Sequence, residues 1–477
     1  MNLAADLAPR TRTRLLIAGF LAFAAAIASW WAYNAVGGPL AATHAVDLTV
    51  YRDGGLIVRG VPPYYDPHAG APLYDWGGYS ALALKFTYTP FAAIAFALLS
   101  FLSPPVLLTV SIIVNMLALA VALWFTFGSL GYRDWRTRLG VTLAAAAVTF
   151  WLQPNVRTIY LGQVNLVLMA AIIWDMGQPG EGRWWKGFVT GITAGVKLTP
   201  LIFVPYLLIT RRFREAAVTV AGFAFTIAVG FAVLPGDSAQ WWLHGLFIKD
   251  GTRAGFIGWA GNQSLRGLLT RLAGSVSAGQ GPWLLAATAA LVIGMAAAYY
   301  FDRAGHHVVA VLVTALTGLL MSPISWDHHW VWVAPGLAVA GHYALAARRA
   351  SVANPGDNSN KRRGRALIAL ALGMIIVYGP WPDAWWESAR NLGKFSLGFL
   401  WAPPNTNPQI YSERGDQPWF TEYHWHGLQL LTGNAYILGG VVLLLVLAAV
   451  AWKLPRGPVS PQPLPQADAP GMSHMRG

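Results

Sequence analysis

Asp47 and Tyr51 stand four residues apart in Ala45-Val46-Asp47-Leu48-Thr49-Val50-Tyr51-Arg52-Asp53. On a helix the two side chains share a face, and Arg52 and Asp53 point elsewhere. A carboxylate beside an apolar bundle can serve as a general base towards an attacking hydroxyl. A helix cap or a solvated interfacial residue is the plainer use of Asp47. A second candidate lies in Ser322-Pro323-Ile324-Ser325-Trp326-Asp327-His328-His329-Trp330. Adjacent helical side chains diverge by ~100°, so His328 and His329 do not offer two ligands to one metal. One can face a cavity while the other faces solvent; a hydrogen-bonded interfacial pair is the alternative.

Lys197 interrupts an apolar segment in Gly195-Val196-Lys197-Leu198-Thr199-Pro200. An ionisable residue inside a span is costly and marks a functional candidate, here one that can meet a phosphate. Pro200 frees backbone groups nearby, and a lysine that snorkels to the interface is the alternative. Gln163 and Asn165, in Gly162-Gln163-Val164-Asn165, carry amides that can bind a sugar or tie helices together. Asn262-Gln263-Ser264 matches a glycosylation triplet, a pattern common by chance. Arg266, just after it, offers a planar fork for a phosphate. The chain has no His-Glu-x-x-His, Gly-x-Ser-x-Gly, Gly-x-Gly-x-x-Gly or Asp-x-Asp pattern, and no Gly-x-x-x-x-Gly-Lys-Ser/Thr loop. No metal site or cofactor is expected.

The elements that must position these residues are set by composition. Of 477 residues, 55% are hydrophobic and 11% charged, against about 25% charged in soluble domains. That excludes an ordinary soluble enzyme. Apolar stretches fall at 15–36, 88–102, 106–130, 139–155, 163–177, 187–209, 214–235, 283–301, 307–321, 330–347, 365–380 and 434–452. A span needs about 20 such residues, so the chain reads as all-α, a multi-pass transmembrane bundle of about 12 spans. The net charge of +13 sits in clusters between them: Arg10–Arg14, Arg211–Arg214, Arg348–Arg349 and Lys361–Arg365. Such clusters follow the positive-inside rule and do not form the basic stripe of a nucleic-acid binder. They place 37–87, 236–282 and 381–433 outside, as long aromatic loops. Under this parity Arg133, Arg136 and Arg138 also fall outside, against the rule, which calls for a re-entrant segment nearby or a local override. There is no cysteine.

Taken in order, Asp47-Leu48-Thr49-Val50-Tyr51, Phe86-Thr87-Tyr88-Thr89-Pro90, Gly162-Gln163-Val164-Asn165, Lys197-Leu198-Thr199-Pro200, Asn262-Gln263-Ser264 and Ser322–His329 resemble glycosyltransferase family 87, of the membrane-embedded GT-C class. The family often has Tyr-Pro-Pro where this chain has Tyr88-Thr89-Pro90. The resemblance implies a GT-C bundle with long extracytoplasmic loops, in a plasma membrane, with its active site on the extracytoplasmic side. It implies a polyprenyl-phosphate sugar donor, typically mannose, and a glycolipid acceptor among the membrane lipids. Transfer would form α-(1→2) bonds on phosphatidylinositol mannoside, lipomannan or lipoarabinomannan. The family's acidic residue in the first external loop, taken as the base, maps onto Asp47. Its histidine maps onto His328 or His329. Substrate contacts are then expected from Tyr51, Arg52, Gln163, Asn165, Lys197, Asn262 and Arg266. The expected organisation is a catalytic core over 1–349, a cytoplasmic linker over 350–364, C-terminal spans over 365–454 enclosing the loop 381–433, and a disordered cytoplasmic tail over 455–477.

Two rivals stand beside this reading. An arabinofuranosyltransferase would share fold and mechanism but use a polyprenyl-phosphate pentose. A secondary transporter would suit many spans and an intramembrane lysine, but transporters are often built from two related halves. No matching broken segments relate 1–240 to 280–455.

Overall fold

Backbone that crosses hydrocarbon must satisfy its own amides, which a helix does within one segment. A computed structural model of the protein describes residues 7–35, 45–62, 72–74, 84–177, 183–246, 257–379 and 421–454. Among the described residues the regular structure is helical, with no strand. In chain order the helices are α1 (Pro9–Ala35), α2 (Val46–Val58), α3 (Pro90–Phe96), α4 (Pro104–Ser129), α5 (Trp135–Phe150), α6 (Gln153–Leu161), α7 (Asn165–Met176), α8 (Phe188–Val196) and α9 (Phe203–Ile209). They continue with α10 (Phe213–Val233), α11 (Leu265–Ala273), α12 (Val276–Arg303), α13 (His307–Met321), α14 (Val333–Ala353), α15 (Asn358–Tyr378) and α16 (Ala435–Trp452). Among the described residues six helices are long and apolar enough to cross a membrane: α1, α4, α10, α12, Asp327–Ala353 and α16. The chain is a membrane protein.

Each apolar stretch read from the sequence carries helix, but several, among them 88–102, 139–155, 163–177 and 187–209, do not form one straight rod long enough to cross. In 88–102 only Pro90–Phe101 is helical, about 18 Å at 1.5 Å per residue against a hydrocarbon core of about 30 Å. In 187–209 the helix breaks at Lys197 between α8 and a 3₁₀ turn, Thr199–Ile202. Lys186 Nζ lies 3.9 Å from Glu215 Oε2, and Arg214 donates to the Arg183 carbonyl at 3.1 Å. Both ends of this segment therefore lie at one end of the bundle, and Lys197 sits at the turn between its two limbs. The anomaly at Arg133–Arg138 is corrected by a similar contact. Arg12 pairs with Asp134 at 3.3 Å, so these arginines stand beside the N-terminal cluster and not opposite it. α1 and α5 run side by side there; a Cβ on Gly19 would meet the Gly140 carbonyl oxygen at 2.2 Å, the small-residue contact that lets membrane helices approach.

α5 and α6 are bent by 79°. Pro154 starts α6, where its missing N–H costs nothing, and every residue of α6 is buried. This short helix lies across one end of the bundle against the 3₁₀ turn Asp327–Trp332. The expected linker over 350–364 is mostly helical: α14 runs to Ala353 and α15 begins at Asn358, capped by Asp357. The C-terminal helices share the main core, with Tyr378, Tyr436, Ile437 and Leu444 buried in the same cluster as Leu320 and Trp330. The tail over 455–477 and most of the loop 381–433 lie outside the described residues.

Candidate active site

α2 presents Asp47 and Tyr51 on one face. Gln163 Nε2 donates to Asp47 Oδ2 at 2.9 Å. Tyr51 Oη donates to Gln163 Oε1 at 2.6 Å, Tyr88 Oη donates to the same oxygen at 3.1 Å, and the two phenols lie 2.6 Å apart. A phenol proton fixes Gln163 Oε1 as acceptor, so its amide N–H₂ is left to face the carboxylate. Gly162 makes this possible. It ends α6 with φ 70°, a conformation that favours glycine. A Cβ there would meet Leu48 Cβ at 2.5 Å, so its absence lets α2 approach. Removal from water raises the Asp47 pKa above its ordinary 3.8, against the lowering effect of His328, the Gln163 amide, Lys197 and Arg157.

Lys197 sits where α8 breaks. Its Nζ donates to Asn165 Oδ1 at 2.9 Å and meets His329 Nε2 at 2.9 Å. An ammonium only donates, so Nε2 accepts and the ring proton of His329 belongs on Nδ1. Asn165 Nδ2 and Thr158 Oγ1 both donate to the His328 carbonyl at 3.0 Å. These bonds fix the backbone of the histidine pair. The two rings are 4.8 Å apart at 89°, in edge-to-face contact. Among the described residues no three His, Asp or Glu side chains group as a metal site.

His328 Nδ1 lies 3.3 Å from Asp327 Oδ1. Asp327 Oδ2 accepts from Gln153 Nε2 at 2.6 Å and lies 3.4 Å from Arg157 Nε. The carboxylate acts as acceptor, which puts the ring proton on Nδ1 and leaves Nε2 to receive one. His328 Nε2 is buried and has no hydrogen-bond partner among the described residues. A slot of about 60 Å³ leads from Asn165, Lys197 and His329 between Met169, Phe203, Leu319 and Trp332. It is polar at one end and apolar at the other.

Three expected substrate contacts lie elsewhere. Arg52 donates to the Leu102 carbonyl at 3.2 Å and pairs with Asp53 at 3.7 Å, on the far side of α2. Asn262 is fully buried; it donates to the Ile257 and Pro323 carbonyls and accepts from the Ser325 amide at 3.0 Å. It clamps the Ser322–His329 segment. Arg266 lies over the Trp283 ring, 4.9 Å from its centroid. Of the aromatic group near 420, Trp419 lies outside the described residues, Trp425 is buried, and His424 and His426 are exposed. The residues that sequence reasoning missed are Tyr88, Gln153, Arg157, Thr158 and Asp327. Arg157, a charge between the apolar stretches 139–155 and 163–177, Asp327, beside the histidine pair, and Tyr88, within Phe86–Pro90, carried a readable signal; Gln153 and Thr158 did not.

A sequence profile described as glycosyltransferase family 87 matches residues 86–323. A polyprenol-phosphate-mannose-dependent alpha-(1-2)-phosphatidylinositol pentamannoside mannosyltransferase of Mycobacterium tuberculosis is 35% identical over 307 residues, 64% of this chain and 67% of the relative. A polyprenol-phosphate-mannose-dependent alpha-(1-2)-phosphatidylinositol mannoside mannosyltransferase of the same species is 34% identical over 327 residues, 65% of this chain and 73% of the relative. One of that same description from Mycolicibacterium smegmatis is 33% identical over 332 residues, 65% and 72%. No solved structure matches.

Proposed function

The chain belongs to glycosyltransferase family 87 and is a glycosyltransferase, and from that premise we propose that it moves mannose from polyprenyl-phosphate-mannose to a phosphatidylinositol mannoside or a related lipid-linked mannoside. The new bond is α-(1→2), formed with inversion. The observation that carries this reading is the junction of two unlike features: a carboxylate held by Gln163, and a slot with a basic mouth and an apolar depth. The first suits an acceptor hydroxyl, the second a lipid phosphate.

The reaction follows from these groups. The acceptor oxygen forms a bond to C1 of the donor as the C1–O bond to phosphate breaks and its electron pair leaves on the phosphate. Asp47 takes the hydroxyl proton. Its raised pKa makes it a better proton acceptor than an ordinary aspartate. Lys197 faces the charge that develops on the leaving phosphate, a contact stronger in the transition state than before it. Phosphate is a good leaving group with a second pKa near 6, so it needs little protonation. His328, oriented by Asp327, presents Nε2 as an acceptor for a sugar hydroxyl. Gln163 holds Asp47 in register.

The fold is read as GT-C, in a plasma membrane, with this site at the extracytoplasmic end, away from the basic clusters. The membrane core is read as the six long apolar helices, joined by the shorter apolar ones and by a helical hairpin that turns at Lys197. The test is transfer by the purified protein in detergent, with polyprenyl-phosphate-mannose and a mannosylated phosphatidylinositol. Transfer by wild type, lost in folded Asp47→Asn, is the expected result. Transfer only from the arabinose donor would keep the mechanism and overturn the sugar; full activity in Asp47→Asn would overturn the base.

A further inference from the structure

A second cavity, of about 310 Å³, lies between α13, α14, α15 and α16. That is within the range of small-molecule sites, about 300–1,000 Å³. It exists because α14 is thin where it faces α15. Gly336 and Ala340 lie on one stripe with Val333 and Tyr343, at helical spacing. A Cβ on Gly336 would meet Met374 Cε at 3.2 Å and nothing else within 4 Å. Trp332 and Leu319 line both this cavity and the slot at Lys197, and form the wall between them.

The two ends of the cavity differ. One is aromatic: Trp330 stacks on Tyr378 at 5.7 Å, and Tyr378 lies 4.5 Å from Tyr436. The other is polar and basic. His306 Nδ1 and Tyr343 Oη are 2.7 Å apart, and Arg363 lines the cavity within electrostatic reach of both. Arg363 belongs to Lys361-Arg362-Arg363-Gly364-Arg365, with Arg348 and Arg349 on α14. None of the described residues lining the cavity is acidic.

We propose that this cavity binds an anionic glycerophospholipid of the cytoplasmic leaflet, with an acyl chain between α13, α14, α15 and α16 and the phosphate at Arg363, His306 and Tyr343. The proposal takes its leaflet from the orientation given above and is otherwise independent of the catalytic reading. An uncharged apolar guest would leave the basic end uncompensated, and a soluble anion would leave the apolar length empty. Only an anionic amphiphile matches both. Basic pockets between helices on the cytoplasmic side are a recurring headgroup site, and a guanidinium grips a phosphate with two parallel bonds.

The experiment is native mass spectrometry of the purified full chain, released from mixed micelles holding phosphatidylglycerol and phosphatidylcholine. Wild type is expected to retain phosphatidylglycerol in preference. Arg363→Gln, an exposed change, weakens retention roughly fivefold, the effect of one basic residue at a headgroup. Leu367→Trp fills the cavity, leaves the basic end intact and abolishes retention. Mannosyl transfer in detergent, read on the same samples, is expected to be unchanged in both variants, so a failure of the catalytic reading shows separately. Equal retention of the two lipids, wild-type retention in both variants, or a polyprenyl phosphate as the retained species would each overturn the proposal.

Discussion

Arg271 and Lys197 are basic side chains near the same end of the bundle, and their surroundings differ in one respect. Arg271 is 2% exposed and spends all its donors. Nε and Nη2 donate to Asn434 Oδ1, Nη1 donates to the Gly258 and Trp259 carbonyls, and Nη2 also reaches the Asn262 carbonyl at 3.1 Å. Gln263 continues this network, donating to the Gly433 carbonyl at 2.8 Å and accepting from the Tyr436 amide at 3.2 Å. It ties α11 to α16 and leaves little for a ligand. Lys197 has three donors, of which Asn165 and His329 take two, and it faces a slot. Its neighbours Asp47 and His328 also keep capacity in reserve. A saturated buried network rigidifies a fold; one with open valence at a cavity is equipped to bind.

The strongest way to break this comparison is Asp47→Asn. Loss of a general base is expected to lower kcat by about 10²–10⁴-fold, with the unfolding temperature unchanged. A comparable fall in stability would move Asp47 into the structural group. Arg271→Met tests the other side: it strands Asn434 and three carbonyls, and is expected to cost about 3–5 kcal/mol of stability. Turnover by the surviving folded protein should match wild type; a large drop in that turnover would make Arg271 part of the site. Lys197→Met should lower kcat by about 10²–10³-fold, as for loss of a transition-state donor. An effect confined to KM would assign it to ground-state binding alone.

Two pH profiles sharpen the contrast. Asp47 must be ionised to accept a proton, and its pKa is raised above 3.8. The rate should therefore fall on the acid side at a higher pH than an ordinary aspartate would give, and an acid limb at the ordinary value would remove Asp47 from that role. Glu422 lies near Arg271, and burial pushes its pKa up to about 7, against backbone amides and Arg271. Folding then takes up a proton that the unfolded chain releases above 4.5. The associated stability is present below 4.5 and is lost as pH rises through about 7. The expected span is roughly 1–3 kcal/mol. Thermal unfolding between about pH 5 and about pH 8 should show this slope in wild type and a flatter one in Glu422→Gln; parallel profiles would exclude Glu422 as its source.

Local rules carried the reading some distance. Helical spacing put Asp47 and Tyr51 on one face, and the structure has that feature. Hydropathy located every helix that forms a long span. It failed at 88–102, where only Pro90–Phe101 is helical, and at 187–209, where the chain turns back at Lys197. A charge at Lys197 marked the second of these breaks, yet hydropathy averages over such a residue.

The sequence by itself determined an all-helical membrane chain and the residue types from which its site is built, because periodicity and transfer free energy act over a few neighbouring residues. Only the tertiary structure decided which of those residues meet. Gln163 reaches Asp47 across 116 positions and Lys197 reaches His329 across 132. Asn262, similar in type to those that meet, is used up as a clamp, and Arg52 turns to Leu102 and Asp53 on the far side of α2. Hydrogen-bond valence is a property of each residue, but whether it is spent within the fold or left open at a cavity depends on partners that no local pattern specifies.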